Sequence, residues 1–207
     1  MISMQNNPVI YSPDQPTQIQ LAQTRETLVD TDIYSKFIYS CENRFRMSRF
    51  YRNYKHKMFT ILGNRDAMKA NINGEMTDIE LHHHFPTLKQ AAIMITEHTL
   101  NHKGCVTTNE VVAQIKEAHR NNLFAIIFLT ETEHQVYHAD PTYFISLNQC
   151  AGNPYKFLDM YIDGITLDIA FNMLYQLKME EQHNGKSFTP NMVRAREQIK
   201  SFSGLGG

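Results

Sequence analysis

Histidine is the residue type in this chain that is best suited to do chemistry, and ten of the 207 residues are histidines. His82, His83 and His84 are consecutive, and His134 and His138 are four residues apart. Side chains at positions i and i+4 lie on one face of a helix, so the last two imidazoles could bind one metal ion. The pattern predicts a divalent metal site completed by a histidine of the earlier run, with a neighbouring histidine left to act as a base.

Two strands and a short helix are predicted to position these histidines. Residues 76–82 form a short run after Asn73-Gly74, a dipeptide typical of a tight hairpin turn. Residues 124–129, with the sequence FAIIFL, form a continuous apolar run typical of a buried strand. Thr130 or Thr132 would then begin the helix that contains the later histidine pair. The predicted order is therefore strand, strand, helix, with histidines at the end of the first strand and on the helix.

Helices are predicted on both sides of this core and within it. The spacing of apolar residues predicts one long helix from Asp30 to about Leu62, and two helices between the strands. A further helix is predicted from Ile165 to about Met179. The expected fold class is α+β, and the expected regions are a flexible arm (1–28), a basic aromatic helix (29–63), the metal core (64–150) with a helical insertion (about 87–121), C-terminal helices (151–200) and a flexible tail (201–207).

The two histidine segments resemble the HNH endonuclease superfamily, particularly its colicin-type branch. Residues 80–86, ELHHHFP, resemble its ELHH-x-x-P segment, and residues 128–138, FLTETEHQVYH, resemble its strand, turn and helix ending in H-x-x-x-H. The similarity covers about residues 67–140 and implies a ββα-metal core. It also implies the roles of individual residues: His82, His134 and His138 as metal ligands, His83 as the general base, and Glu80 as a group that supports a ligand.

The chain departs from this family at one position of the second strand. The family has an Asn nine residues before the first helical histidine, where this chain has Ala125. That Asn braces the loop that carries the base, and Asn122 could replace it only if the strand began with a bulge. The departure favours the alternative of an HNH-like module with weak or no activity.

A run of six basic residues without an intervening acid follows the first predicted helix turns. The whole chain has 20 basic and 21 acidic residues and a net charge of −1, so a nucleic-acid surface would have to be a local patch. Arginines three residues apart on a helix can follow phosphate groups, although a solvated helix face has the same pattern. The residues predicted to contact phosphates are Arg44, Arg46, Arg49, Arg52, Lys55 and Lys57.

Other features exclude several classes of protein. The three cysteines are far apart and form no C-x-x-C pair, which argues against a disulfide scaffold and a cysteine zinc site. The sequence contains no apolar run of the length a membrane span needs and no signal peptide, so we expect a cytoplasmic, intracellular protein. His98 and His102 form a competing pair four residues apart, without an evident strand partner. His84 has no role in the resemblance, and we expect it to be exposed.

The sequence thus predicts a metal-dependent HNH-type endonuclease that hydrolyses phosphodiester bonds in double-stranded DNA. One divalent ion would be its cofactor: three neutral histidines favour Zn²⁺, Ni²⁺ or Mn²⁺, and the resemblance to the HNH family adds Mg²⁺. The alternatives are an inactive DNA- or protein-binding module, and a protein stabilised by structural zinc with His84 or Glu80 as fourth ligand. A homodimer or a protein partner could use the inserted or C-terminal helices, and a phage or mobile-element setting follows the habit of the family.

Overall fold

The structure is a computed structural model that describes residues 9–11, 19–62, 79–140, 143–184 and 189–204. It belongs to the expected α+β class, with helices around three two-stranded sheets in the part described. The predicted turn at Asn73-Gly74 lies outside the described residues. The strands are β1 (Val9–Tyr11), β2 (Ile19–Leu21), β3 (Gln23–Thr24), β4 (Ile79–Phe85), β5 (Cys105–Val106) and β6 (Ala125–Thr130). The helices are α1 (Thr31–Arg46), α2 (Arg49–Leu62), α3 (Leu88–Lys103), α4 (Thr108–Arg120), α5 (Glu131–Ala139), α6 (Pro154–Tyr161), α7 (Leu167–Asn184) and α8 (Pro190–Ser203).

The segment expected to be a loose N-terminal arm contains three of these strands. Strands β1 and β2 pair with each other, and β3 pairs with β5 of the insertion. Ala22, between β2 and β3, is fully buried, and Leu28 is also buried. Residues 22–28 are therefore attached to the insertion, because the short strand β5 offers backbone hydrogen-bonding groups that the sequence pattern did not reveal.

The helix predicted from Asp30 to about Leu62 is interrupted at Met47 and Ser48. Asp30 caps the start of α1 as expected, since its carboxylate accepts hydrogen bonds from two backbone amides. The Ser48 hydroxyl donates to the Phe45 carbonyl and accepts from the Tyr51 amide, so it both closes α1 and caps α2. The basic segment therefore lies on two helices rather than one.

Strands β4 and β6 form an antiparallel pair that joins distant parts of the chain. His82 is opposite Ile127 and His83 is opposite Ile126, and then the register shifts between His83 and Phe85. This shift is a β-bulge in which His84 is the extra residue opposite the start of β6. Every residue of β6 is buried, in agreement with the prediction from its apolar run. The strand pair therefore has both of its faces covered.

The two predicted helices of the insertion are present, and each begins with a strong local signal. The helix α3 begins after Thr87 and α4 after Thr107, and both form capping boxes with the residue three positions later. The predicted cap of α5 is also present, as Thr130 forms a capping box with Glu133. Helix starts could be predicted here because the capping residues act on their own backbone neighbours.

The C-terminal helices hold a loop against the end of the strand pair. On α7, Ile169, Met173 and Leu177 are buried on one face, as the sequence predicted. The Glu180 carboxylate of the same helix is fully buried and accepts hydrogen bonds from the Leu147 amide and the Ser146 hydroxyl. This carboxylate fixes the 3₁₀ turn Leu147–Gln149, which follows the residues that line one side of the candidate site.

Candidate functional site

Strand β4 directs its consecutive histidines to different surroundings. The ring of His82 packs against His134, Tyr137 and His138 of α5. The next residue, His83, instead packs among aromatic side chains of the helical layer. Successive side chains of a strand point to opposite faces, so the alternation gives β4 a face towards α5 and a face towards the core.

Three histidines converge on the α5 side of β4, as the sequence predicted for the metal ligands. Nδ1 of His82 is 3.1 Å from Nε2 of His134, and Nε2 of His138 is 3.2 Å from the same atom. All three donor atoms lie within 4.8 Å of one another. Zinc–nitrogen bonds are about 2.0–2.1 Å long, so nitrogens around a tetrahedral ion are about 3.3 Å apart. The observed separations are close to that spacing.

Glu80 fixes the orientation of the central histidine. Its carboxylate accepts a hydrogen bond from Nδ1 of His134. That nitrogen therefore carries the proton, and the lone pair of the neutral ring lies on Nε2, towards His82 and His138. A single lone pair cannot satisfy two N–H donors well, whereas a cation between the three nitrogens satisfies all of them. The donor set therefore fits a divalent ion, with Glu80 in the supporting position that carboxylates take behind metal-bound histidines.

The charge state of the ligands also suits a metal ion. Burial, with smaller contributions from the neighbouring histidines and Arg46, lowers the pKa of His82 to about 3. Burial and the adjacent His134 also lower the pKa of His138. Only neutral imidazoles bind metal ions, and these rings are already neutral at pH 7, so no proton has to leave before an ion binds. The second nitrogen of His82, Nε2, is buried and has no hydrogen-bond partner among the described residues.

His83, predicted as the general base, is buried on the other face of β4 and is not brought to the three ligands. Its Nε2 is 2.8 Å from Nε2 of His119, and Nδ1 of His119 hydrogen-bonds to the Ile115 carbonyl. Nδ1 of His119 must donate to that carbonyl, so its Nε2 accepts a hydrogen bond from His83. Burial and the adjacent His119 hold the pKa of His83 well below its ordinary value, so this pair is neutral.

The expectation that His84 is exposed is wrong. His84 is buried on the α5 side of β4, as is His82 two residues earlier, and its Nδ1 is 3.2 Å from the hydroxyl oxygen of Tyr137. Its Nε2 lies near the backbone of Ile145 without a hydrogen bond of normal geometry. Burial lowers the pKa of His84 to about 4. A histidine on this face is therefore neutral and adjacent to the three ligands.

A cleft of about 350 Å³ opens beside the three ligands. His84, Tyr137 and His138 are among the residues that line it. Residues 143–145 and side chains of α7 also contribute, and the lining contains no lysine or arginine. Tyr137 connects the cleft with the ligands, because its ring also packs against His82. Tyr137 was not predicted as a site residue, although a side chain three residues after His134 lies on the same helix face.

The basic residues of α1 and α2 lie on the outside of the helical layer. Arg46, Arg49, Arg52 and Lys57 are exposed, while the interleaved aromatic residues Phe45, Tyr51 and Tyr54 are buried. Arg44 and Lys55 are partly buried. Arg46 is close enough to lower the pKa of both His82 and His83. The basic face therefore begins near the three ligands.

Asn122, the predicted substitute for the family's Asn, has a different position. It adopts a left-handed backbone conformation with φ of 52°, its side chain is exposed, and its carbonyl accepts a hydrogen bond from the Asn153 amide. The bulge that the substitution required is present on β4, at His84, rather than at the start of β6. Ala125, at the family position itself, is buried. Its backbone amide donates a hydrogen bond to the His119 carbonyl, and among the described contacts it has none with the histidines of β4 and α5.

Comparison with known proteins identifies a viral family. None of the described helices is long and apolar enough to cross a bilayer. No curated protein and no solved structure has significant similarity to the chain. A family model for the bacteriophage G278-like virion proteins matches residues 3–201, which is nearly the entire chain. The protein is therefore a member of the bacteriophage G278-like virion protein family.

Proposed function

We propose that this protein is a metal-dependent nuclease of the HNH type that is carried in a phage particle. The observation that carries the proposal is the convergence of His82, His134 and His138 on one point between β4 and α5. The antiparallel strand pair followed directly by the histidine-bearing helix has the order of a ββα-metal core. The name of the family supports the location in the particle.

The reaction would be hydrolysis of a phosphodiester bond, with each group in a separate role. The three histidines would hold the ion, and Glu80 would keep His134 in the required tautomer. When bound, a divalent ion supplies polarisation of the phosphate and stabilises negative charge on the leaving oxygen. Arg46 and the exposed arginines beyond it would bind flanking phosphates of DNA, independent of sequence.

Two histidines are candidates for the base that takes a proton from the attacking water. The resemblance implies His83, whereas the contacts support His84, because it lines the cleft beside His138 and shares the α5 side of β4. His83 already donates its Nε2 proton to His119 in the core. A general base contributes about 10²–10⁴-fold to a rate, so the two candidates are separable.

The experiment is a plasmid-nicking assay with the purified chain and Mg²⁺, Mn²⁺, Ni²⁺ or Zn²⁺. We expect cleavage by the parent protein, and its loss in His138→Ala together with the ion bound between β4 and α5. Gln135→Ala is the matched control, because Gln135 is exposed on the same helix and contacts none of the ligands. His84→Gln should lower the rate by about 10²–10⁴-fold. Loss of activity in His83→Gln alone, in a folded protein, would return the role of base to His83.

A second candidate function is supported by Ala125 and by the burial of His83. In that case the protein is a particle component that the ion stabilises, without hydrolysis. The parent protein would then be inert with every ion, while Zn²⁺ would still raise its unfolding temperature and His138→Ala would reduce that increase. If none of the four ions binds through His82, His134 and His138, both functions are excluded.

A further inference from the structure

A second group of metal-ligating side chains lies outside the cluster on β4 and α5. Nδ1 of His98 is 2.6 Å from one carboxylate oxygen of Asp163, and Nε2 of His102 is 2.8 Å from the other. The two histidines are one turn apart on α3, and Asp163 belongs to the 3₁₀ turn Ile162–Gly164. The three donor atoms lie within 4.8 Å of one another. The strand partner that seemed to be absent for this histidine pair is replaced by a carboxylate from a turn.

The backbone around Asp163 is held in place by contacts other than those with the histidines. The Asn101 side-chain amide donates a hydrogen bond of 2.9 Å to the Asp163 carbonyl. At Gly164, a β-carbon would be 2.0 Å from the Met94 carbonyl oxygen, so only glycine allows the turn to approach α3 this closely. The ring of Tyr161 also packs edge-on against His98. The carboxylate is therefore directed at both imidazoles before any ion binds.

The chemistry of these donors defines the kind of ion. Two imidazoles and one carboxylate form a mixed nitrogen and oxygen set that suits borderline divalent ions such as Zn²⁺ and Co²⁺. Donor atoms around a tetrahedral ion are about 3.3 Å apart, so the imidazole–carboxylate distances of 2.6 and 2.8 Å must widen by about 0.5–0.7 Å. The His102 side chain is 61% exposed, which leaves room for that movement and for water at the remaining positions of the ion.

We propose that His98, His102 and Asp163 bind a second divalent transition-metal ion, separate from the ion held by His82, His134 and His138. The ion would join α3 of the insertion to the turn between α6 and α7, two segments that are more than 60 residues apart in sequence. Its role would be structural, since the ion replaces two hydrogen bonds by three bonds to one centre. The proposal does not depend on nuclease activity, because the two ion sites share no residue.

The number of bound ions tests this proposal. The chain is stripped of metal and titrated with Zn²⁺ by calorimetry, and we expect two ions per chain. His138→Ala and His102→Ala should each bind one ion, and the double variant should bind none. His56→Ala is the matched control and should bind two ions, because His56 is exposed on α2 and belongs to neither group. Circular dichroism confirms that each variant is folded.

Asp163→Asn provides a second variant that keeps a hydrogen-bonding side chain. In the His138→Ala background, Zn²⁺ should raise the unfolding temperature, and Asp163→Asn should remove that rise. Co²⁺ binding, followed by its visible absorption, should be lost in the same variant. The proposal is overturned if His102→Ala binds as many ions as the parent chain. A single ion that is lost in His138→Ala and kept in His102→Ala overturns it in the same way. A loss of stability in His102→Ala without loss of an ion would identify a purely hydrogen-bonded clamp.

Discussion

Each face of β4 carries a buried histidine, but the hydrogen-bonding surroundings of the two side chains differ. Towards α5, His82 meets two other histidines whose nitrogens converge, and an acidic side chain orients the central ring. Towards the core, His83 meets one histidine, and the proton between them satisfies both rings. The difference lies in the number of lone pairs and protons. Towards α5, the N–H groups of two histidines share the single lone pair of His134. Towards the core, one N–H group of His83 meets one lone pair of His119.

A binding site and a hydrogen-bonded polar pair in the core can contain the same buried residue type. Burial alone does not distinguish them, since His82 and His83 are both buried and burial lowers the pKa of both. The informative observation is whether the hydrogen-bonding capacity of each ring is satisfied by its neighbours. By that criterion the α5 side of β4 requires a ligand, and the core side does not.

The largest expected effect is on stability, from a substitution on the core face. His83→Ala leaves a cavity and an unpaired Nε2 on His119, and should lower the free energy of unfolding by about 3–5 kcal/mol. Urea denaturation of the metal-free chain measures this change. Zinc affinity should remain that of the parent protein. A variant of nearly normal stability with weakened zinc binding would reverse the assignment of the two faces.

A smaller loss of stability is expected when the pH is lowered. Burial lowers the pKa of His119 to about 4, whereas an unfolded histidine has a pKa of about 6.5. Between these pKa values His119 is protonated in the unfolded chain but not in the folded chain. The free energy of unfolding therefore falls as the pH drops from about 6.5 to 4. The contribution of His119 is at most about 3 kcal/mol.

Denaturation of the metal-free chain at pH 7 and at pH 4.5 measures this loss. His119→Gln keeps a hydrogen-bonding side chain but does not titrate, so its stability should differ less between the two pH values. An equal loss of stability in parent and variant would mean that the core pair does not resist protonation.

An intermediate effect is expected on the metal face. Glu80→Gln removes the charge behind His134 and should weaken zinc binding by about 10–100-fold, as for other supporting carboxylates. The carboxylate is 48% exposed, so the stability of the metal-free chain should hardly change. Glu131→Gln is the matched control, because it removes the same charge from the exposed start of α5. Equal affinities in the two variants would leave Glu80 without a role at the centre.

The smallest effects are expected on the basic face. Arg46→Ala and Arg52→Ala should each reduce the salt dependence of DNA binding by about one charge, without preference for sequence. Of the two, Arg46→Ala should also slow plasmid nicking, because Arg46 lies near His82. Filter binding at several salt concentrations measures the slopes. Unchanged slopes in both variants would make this surface an ordinary solvated face.

The sequence was sufficient for features that depend on local spacing. The pair His134 and His138 and the caps at Thr107 and Thr130 could be predicted because neighbours along the helix determine them. The strand β6 could be predicted because its apolar run is continuous.

Features that depend on distant partners could not be predicted in the same way. The contact of His83 with His119 joins residues 36 positions apart, and it determines which face of β4 is the core. The burial of His84 depends on its contact with Tyr137, 53 positions later, which the run of histidines does not reveal. The break at Ser48 was missed because the apolar spacing continues across it, while a single hydroxyl caps the second helix.

The separation of the ligands along the chain has a consequence for the order of folding. His82 and His134 are 52 residues apart, and between them α3 and α4 each carry their own capping box. Helices with local signals form early, whereas pairing β4 with β6 requires closure of a long loop. Before the strands pair, the site between β4 and α5 therefore offers an ion only the two histidines of α5, and the third ligand arrives with loop closure. Tight binding of an ion by His82, His134 and His138 should therefore occur late in refolding, when β4 pairs with β6.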